Sequence, residues 1–367
     1  MKVKLESFLQ EISEKTTEND QHPVLTSSKA GLFLQRDYFN KQVASKDNTG
    51  YKIIRRGQFT YRAMSDTGEF FPNMLECTDI GIVSPAYPVF EITKQGVVVP
   101  EFLKYFFKSD SFQHSIAAFA QGSTRTSVKF GKMKTVEITL PSVPEQRHIV
   151  EVLDRAKTVI EVREQELQKL DELVNARFVE LFGDPETNPK GWNRQRLDQI
   201  CENLDSRRVP ITSTDRKAGR YPYYGASGIV DYVEDYIFDE DILLISEDGA
   251  NLAMRSTPIA FSVSGKVWVN NHAHVVRFES KATQKYIEIC FALTDISGSI
   301  TGTAQPKLNQ AKLNAMMFCI PPIELQEQFA AFVEQTDKSK AGNPTESGST
   351  GDVAILLVVN QLKKKSR

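Results

Sequence analysis

The chain has 367 residues, 40% hydrophobic and 25% charged, with a formal net charge of −2. This is an ordinary globular composition, long enough for two or three domains that each bury a core. No apolar run approaches the ~20 residues that span a bilayer, and the N-terminus lacks the apolar stretch of a signal peptide. The cysteines Cys77, Cys201, Cys290 and Cys319 form no CxxC pair, which argues against a disulfide frame or zinc site and for reduced thiols in a cytoplasm.

An α+β organisation is expected, with two similar mixed α/β domains separated by a long coiled-coil-like helix. The first domain, residues 1–143, shows strand-like runs at 51–54, 58–61, 81–83 and 87–92, rich in β-branched and aromatic residues. A helix is predicted over 100–120, with Phe102, Leu103, Phe106, Phe107, Ile116 and Phe119 on one side. A further strand, 136–140, stops at Pro141.

A long helix follows at 144–182. Ile149, Leu153, Ala156, Ile160, Leu167, Leu170, Val174 and Leu181 fall at the 3–4 spacing of a coiled-coil seam, broken at Arg163 and Arg177. Such a helix spans roughly 50 Å, and Gly183, Pro185 and Pro189 end it. One apolar stripe of that length needs a partner helix. The second domain, 191–322, repeats the order with strands at 242–246, 267–269, 274–278 and 316–320 and a helix at 285–293. A second long helix begins at 323–340 and then fails, because Gly342, Pro344, Gly348 and Gly351 follow. Residues 341–367 read as an irregular, disordered tail.

Residues 122–154 and 302–334 are one pattern written twice, 180 positions apart without a gap. Gly122, Lys132, Pro141 and Gln146 recur as Gly302, Lys312, Pro321 and Gln326. The period is too long for a solenoid repeat, so a whole domain plus its departing helix is duplicated. Charge follows the duplication. Residues 29–62 hold eight Lys and Arg against two acids, and residues 190–220 eight against four, whereas 231–248 hold eight acids and no base. Each domain could therefore present a positive face to nucleic acid, although solvated loops would show the same excess.

Three signatures together resemble the specificity subunit of type I restriction-modification enzymes. One is the closing motif, Gly122-Ser123-Thr124-Arg125 leading to Leu140-Pro141 and Gln146, with its echo at Gly302-Thr303-Ala304-Gln305. Another is Tyr221-Pro222-Tyr223-Tyr224-Gly225-Ala226-Ser227-Gly228-Ile229, followed by Asp241-Ile242-Leu243-Leu244-Ile245-Ser246 and Gly249-Ala250-Asn251. The third runs from Val24-Leu25-Thr26-Ser27 to Arg55-Arg56-Gly57. The resemblance implies two target-recognition domains, each reading half of an interrupted, asymmetric sequence in double-stranded DNA. It implies helices that set the spacer and dock two methyltransferase subunits, with restriction subunits joining later. It also implies that this chain has no catalysis of its own and binds no cofactor, S-adenosylmethionine, ATP and Mg²⁺ being handled by the partners. The place would be a bacterial or archaeal cytoplasm, at the nucleoid. The broken second helix departs from the family pattern and suggests self-association through the long helix as a way to replace it.

Candidate DNA contacts in the first domain are Ser27, Lys29, Arg36, Arg55, Arg56 and Arg62, with the turn Ser123, Thr124, Arg125 and Lys129. Their cations and hydroxyls suit phosphate or a guanine edge. The second domain offers Tyr223, Tyr224 and Ser227, with Asn251, Arg255, Lys266, Gln305 and Lys307. A capped loop or plain hairpin would explain several of these equally well. His272 and His274, two apart on a strand, lack a third metal ligand at recognisable spacing. No Asn/Asp-Pro-Pro-aromatic methyltransferase motif or phosphate-binding Gly-rich loop appears. Glu279-Ser280-Lys281 with Asp241 only weakly resembles a metal-dependent nuclease arm. A non-catalytic scaffold using the helix alone is the other alternative.

Overall fold

The computed structural model describes residues 2–38, 45–94, 96–121, 125–302 and 305–341. Ser123, Thr124 and the expected tail beyond residue 341 lie outside them. Residues 2–161 form one compact unit and 162–341 another. Among the described residues no helix is long and apolar enough to cross a membrane.

In the first unit an antiparallel sheet has the order Leu9–Ile12, Val89–Ile92, Phe59–Thr60, Asn73–Met74. Phe90 sits opposite Phe59 in the register and their rings stack at 5.6 Å. Phe107 meets both edge-on, which makes this aromatic group the centre of the core. The single helix predicted over 100–120 is two helices, Pro100–Phe106 and Asp110–Ala117. Ser109 causes the break: its backbone is extended and its hydroxyl accepts the Phe112 amide, capping the second helix. Both pieces still bury the expected face, through Phe102 and Leu103 in the first and Ile116 in the second, and Phe107 is buried just after the first.

The second unit contains two four-stranded sheets. One has the order Glu202–Asn203, Ala273–Arg277, Ile242–Ser246, Ala260–Val263. All five residues of Ile242–Ser246 are buried. Alternation sends Leu243 and Ile245 into one core cluster and Ile242 and Leu244 into another. The other sheet is built on the hairpin Ala218–Gly225/Gly228–Val233, with Lys266–Val269 parallel to its first strand. The two units share their framing: Lys2–Lys4 pairs with Glu137–Thr139 as Asn193–Arg196 pairs with Met317–Ile320.

The long helix is Val143–Phe182, 40 residues and so about 60 Å. Gly183, at φ +80°, donates its amide to the Val179 carbonyl and ends it. Val174, Phe178 and Phe182, spaced by four, are buried on one face. Phe178 stacks on Tyr286 of the helix Lys281–Leu293 at 5.2 Å and meets Phe329 edge-on at 5.5 Å. Phe329 belongs to the helix Ile323–Ala341, which returns antiparallel until Lys340 pairs with Asp171 at 2.7 Å.

The two arginines that interrupt the seam have structural partners. Arg163 donates to the Ser339 and Lys340 carbonyls at the end of the returning helix, and Arg177 lies over the Phe332 ring at 6.0 Å. Of the predicted seam, Val174 is buried, and Ile149, Leu153, Ala156, Leu167, Leu170 and Leu181 are partly covered. Ile160 is 53% exposed and its neighbours Val159 and Val162 more so, which corrects the expectation of a covered stripe throughout. The described part of the returning helix ends at Ala341, beside Arg163.

Candidate nucleic-acid interface

The duplicated pattern closes the same loop twice. Gln121 and Ser127 exchange both backbone hydrogen bonds, 3.2 and 2.8 Å, and Thr301 and Lys307 do the same at 2.8 Å each. Residues n and n+6 thus pinch a loop at its base, at positions 180 apart. Gly302 is at φ +81°, and a side chain there would run into the Gln305 carbonyl at 2.6 Å, so only glycine fits. Each loop then docks on a neighbouring strand end: Thr126–Ser127 pairs with Met64–Ser65, and Lys307 bridges to Asp248.

At the first loop, Arg125 pairs with Asp66 at 2.8 Å and Arg62 approaches the same carboxylate at 3.6 Å. Two exposed guanidiniums share one acid, leaving net positive charge at the loop. Lys129 is exposed and directly precedes the short helix Phe130–Met133. The remaining candidates are engaged elsewhere. Arg55 forms a bidentate pair with Glu14, and Arg56 pairs with Asp79 at 2.7 Å. Lys29 pairs with Glu69 at 3.3 Å above the Phe71 ring, and Arg36 with Asp37 at 3.5 Å. The Ser27 hydroxyl accepts from the Asn73 amide at 3.0 Å, an internal tie.

At the second loop, several connections converge. The Ser246 hydroxyl donates to the Ala226 carbonyl in the hairpin turn at 2.5 Å, and the Asn270 amide to the Tyr224 carbonyl at 3.0 Å. The Glu247 amide donates to the His272 carbonyl, and His272 Nδ1 lies 2.9 Å from both Asp248 oxygens. Around this point Ser227, Gln305 and Lys307 are exposed, and Lys307 pairs with Glu247 at 3.1 Å.

Five candidates in this unit do not belong to that group. Tyr223 is 1% exposed, with its hydroxyl bonded to the Ile211 backbone and Arg216 over its ring, so it is a core residue. Tyr224 is partly buried against Phe261. Arg255 is at φ +48° and donates to the carbonyls of Phe291, Ala292 and Thr294, capping the end of the helix Lys281–Leu293. Asn251 closes its own loop through Ser256 and Thr257. Lys266 lies at the other end of its strand from Val269, over the Tyr236 ring at 4.6 Å, about 13 Å of strand from Asn270.

Beneath the second loop lies a buried charged group invisible in the sequence pattern. His274, 1% exposed, places Nδ1 2.6 Å from Asp205 and Nε2 2.8 Å from the Leu308 carbonyl. Arg208 joins Asp205 at 3.4 Å to Glu247 at 2.6 Å. Burial pushes both carboxyls up. The His274 bond to Asp205 and the Arg208 bond to Glu247 outweigh it and hold both below the ordinary carboxylate range. Both imidazole nitrogens lie within hydrogen-bond distance of protein oxygens, so neither is turned toward open space where a metal could bind. The nuclease-like tripeptide has a structural role: Ser280 caps the helix that follows, and Lys281 pairs with Asp241 at 2.7 Å.

Residues 30–172 and 189–346 match the type I restriction modification DNA specificity domain. A Haemophilus influenzae protein named as a type I restriction enzyme specificity subunit is 33% identical over 138 residues, 38% of this chain and 35% of that protein. The MjaIX specificity subunit of Methanocaldococcus jannaschii is 25% identical over 277 residues, 66% of this chain and 63% of the relative. The chain thus spans less than two thirds of the length of either relative. The S subunit of the M. genitalium type I restriction-modification system has a similar fold, with a TM-score of 0.54 and 15% identity, covering 93% of this chain and 90% of that one. A chain from a study of complex assembly and conformational transition in the type I R-M system gives 0.52 and 16%, covering 97% and 95%.

Proposed function

The chain belongs to the type I restriction-modification DNA specificity family, and on that premise we propose that it is a non-catalytic, sequence-specific DNA-reading subunit. Each unit reads one half of a bipartite, asymmetric target. The observation that carries this reading is the loop closed twice at positions 180 apart, once carrying Arg125 beside Arg62 and once Gln305 and Lys307. The loops share backbone closure and differ in side chains, as two readers of different half-sites would. Guanidiniums suit phosphate or guanine, and amide and ammonium groups suit other base edges.

The helices serve as the docking place for two methyltransferase subunits, which supply S-adenosylmethionine and the chemistry, and restriction subunits bring ATP and Mg²⁺. The assembly works in a prokaryotic cytoplasm, on the nucleoid. Self-association through the long helix belongs to the same reading, since Val159, Ile160 and Val162 are 63%, 53% and 58% exposed on it. The deciding experiment is methylome mapping in cells carrying this chain with its methyltransferase partner. A single two-part asymmetric motif supports the reading, and methylation that does not change when the chain is deleted rejects it. A pure scaffold would show no DNA retardation that weakens linearly on a log–log salt plot.

A further inference from the structure

Each closing loop is followed by a residue whose two backbone groups are both held, Val128 in the first unit and Leu308 in the second. The Val128 amide donates to the Ala63 carbonyl at 3.1 Å, and the Leu308 amide to the Glu247 carbonyl at 2.8 Å. Their own carbonyls are held by side chains of different kinds. That of Val128 accepts from the Tyr61 hydroxyl at 3.0 Å, and that of Leu308 from His274 Nε2 at 2.8 Å. Tyr61 and His274 are 0% and 1% exposed, and neither lies in the duplicated stretches. Tyr61 directly follows the strand Phe59–Thr60, whereas His274 lies within Ala273–Arg277. One bond at one repeat position is therefore built twice from unrelated side chains.

We infer that Tyr61 and His274 are positioning residues, each fixing the closing pair of its own unit so that Arg125 in the first and Lys307 in the second meet DNA in a set direction. The inference rests on the reading of these loops as DNA contacts. The pinned residue comes one position after the pair that closes the loop, so its carbonyl sets the direction in which the chain leaves. With that carbonyl released, the closing pair remains but Arg125 or Lys307 loses its fixed direction, and the cost of restoring that direction falls on binding. Neither anchor touches DNA. Burial of Tyr61 pushes its phenol well above its ordinary value, so it remains a neutral donor. His274 Nδ1 lies 2.6 Å from Asp205, and Asp205 is itself fixed by the Val275 amide at 2.8 Å. That chain sets the ring angle. Glu247, 3.7 Å from His274, also takes Lys307, so the second anchor is linked to the cation of its own loop.

The test uses full-length wild-type chain, Tyr61→Phe and His274→Gln in selections from a randomised duplex library, with the enriched motifs sequenced and thermal unfolding recorded. Wild type is expected to enrich two half-sites. Tyr61→Phe should lose information in one half and His274→Gln in the other. Each should bind the wild-type duplex about three- to tenfold more weakly, the size of one lost hydrogen bond. A merely structural role lowers the melting temperature and leaves the motif of the folded fraction unchanged. That result overturns the inference, as does loss of the same half by both variants. Tyr61→Phe keeps its ring in the core, so its arm decides even where His274→Gln does not fold. Wild type enriching no two-part motif sinks the DNA reading itself, an outcome distinct from failure of the anchors.

Discussion

Asp66 shows how a single residue decides what its neighbours offer. It lies between Arg62 and Arg125, 59 positions before the latter, and takes both guanidiniums at 3.6 and 2.8 Å. Sequence reasoning selected both arginines and missed the acid that gathers them, because nothing local connects the positions. Arg125→Ala should weaken binding of a selected duplex. A phosphate contact would lower the log–log salt slope by about one, whereas a base contact would relax preference at one position. Unchanged affinity and preference in a gel-shift titration would remove Arg125 from the interface. Arg255 is the opposite case. Residue type made it a candidate contact, but its guanidinium binds three carbonyls near the end of the helix Lys281–Leu293. Arg255→Ala should therefore cost about 1–3 kcal/mol in urea unfolding and leave the selected motif unaltered.

Among the elements, the long helix was the most legible. Its apolar spacing and its glycine and proline stop are local properties, and the helix Val143–Phe182 begins one residue before its predicted start. The residues that carry its packing were less legible. Phe178 and Phe182 hold Tyr286 and Phe329, and only the fold brings those partners to them. Phe178→Ala should cost about 3–5 kcal/mol, as large-to-small changes at fully buried aromatics do, read as a lower denaturant midpoint at unchanged slope. Val159→Asp with Ile160→Asp should abolish any self-association seen by sedimentation velocity with little loss of stability, since both sites are exposed. The buried group around His274 carries a pH prediction. Asp205 and Glu247 are held below their ordinary values, so the stability they contribute is complete above the unfolded carboxyl range, about pH 4. It is lost as pH falls through the lower folded values. Unfolding titrations between pH 7 and 3 should show that loss, and His274→Asn should reduce it by removing the imidazole bond to Asp205.

For the whole molecule, the duplication, the α+β class and the long helix were legible because they rest on short-range regularities: a repeat without gaps, a heptad-like period, residues that break helices. Family membership followed from the same motifs. The fold alone decided which cations stay available at the loops, because pairs such as Arg55–Glu14 and His274–Asp205 join residues 41 and 69 positions apart. It also decided that Tyr223 is core and that one carbonyl is pinned by tyrosine in one unit and histidine in the other. Periodicity describes what a segment does with its immediate neighbours along the chain. Charge pairing and burial are settled between segments, and only the folded arrangement of those segments specifies them.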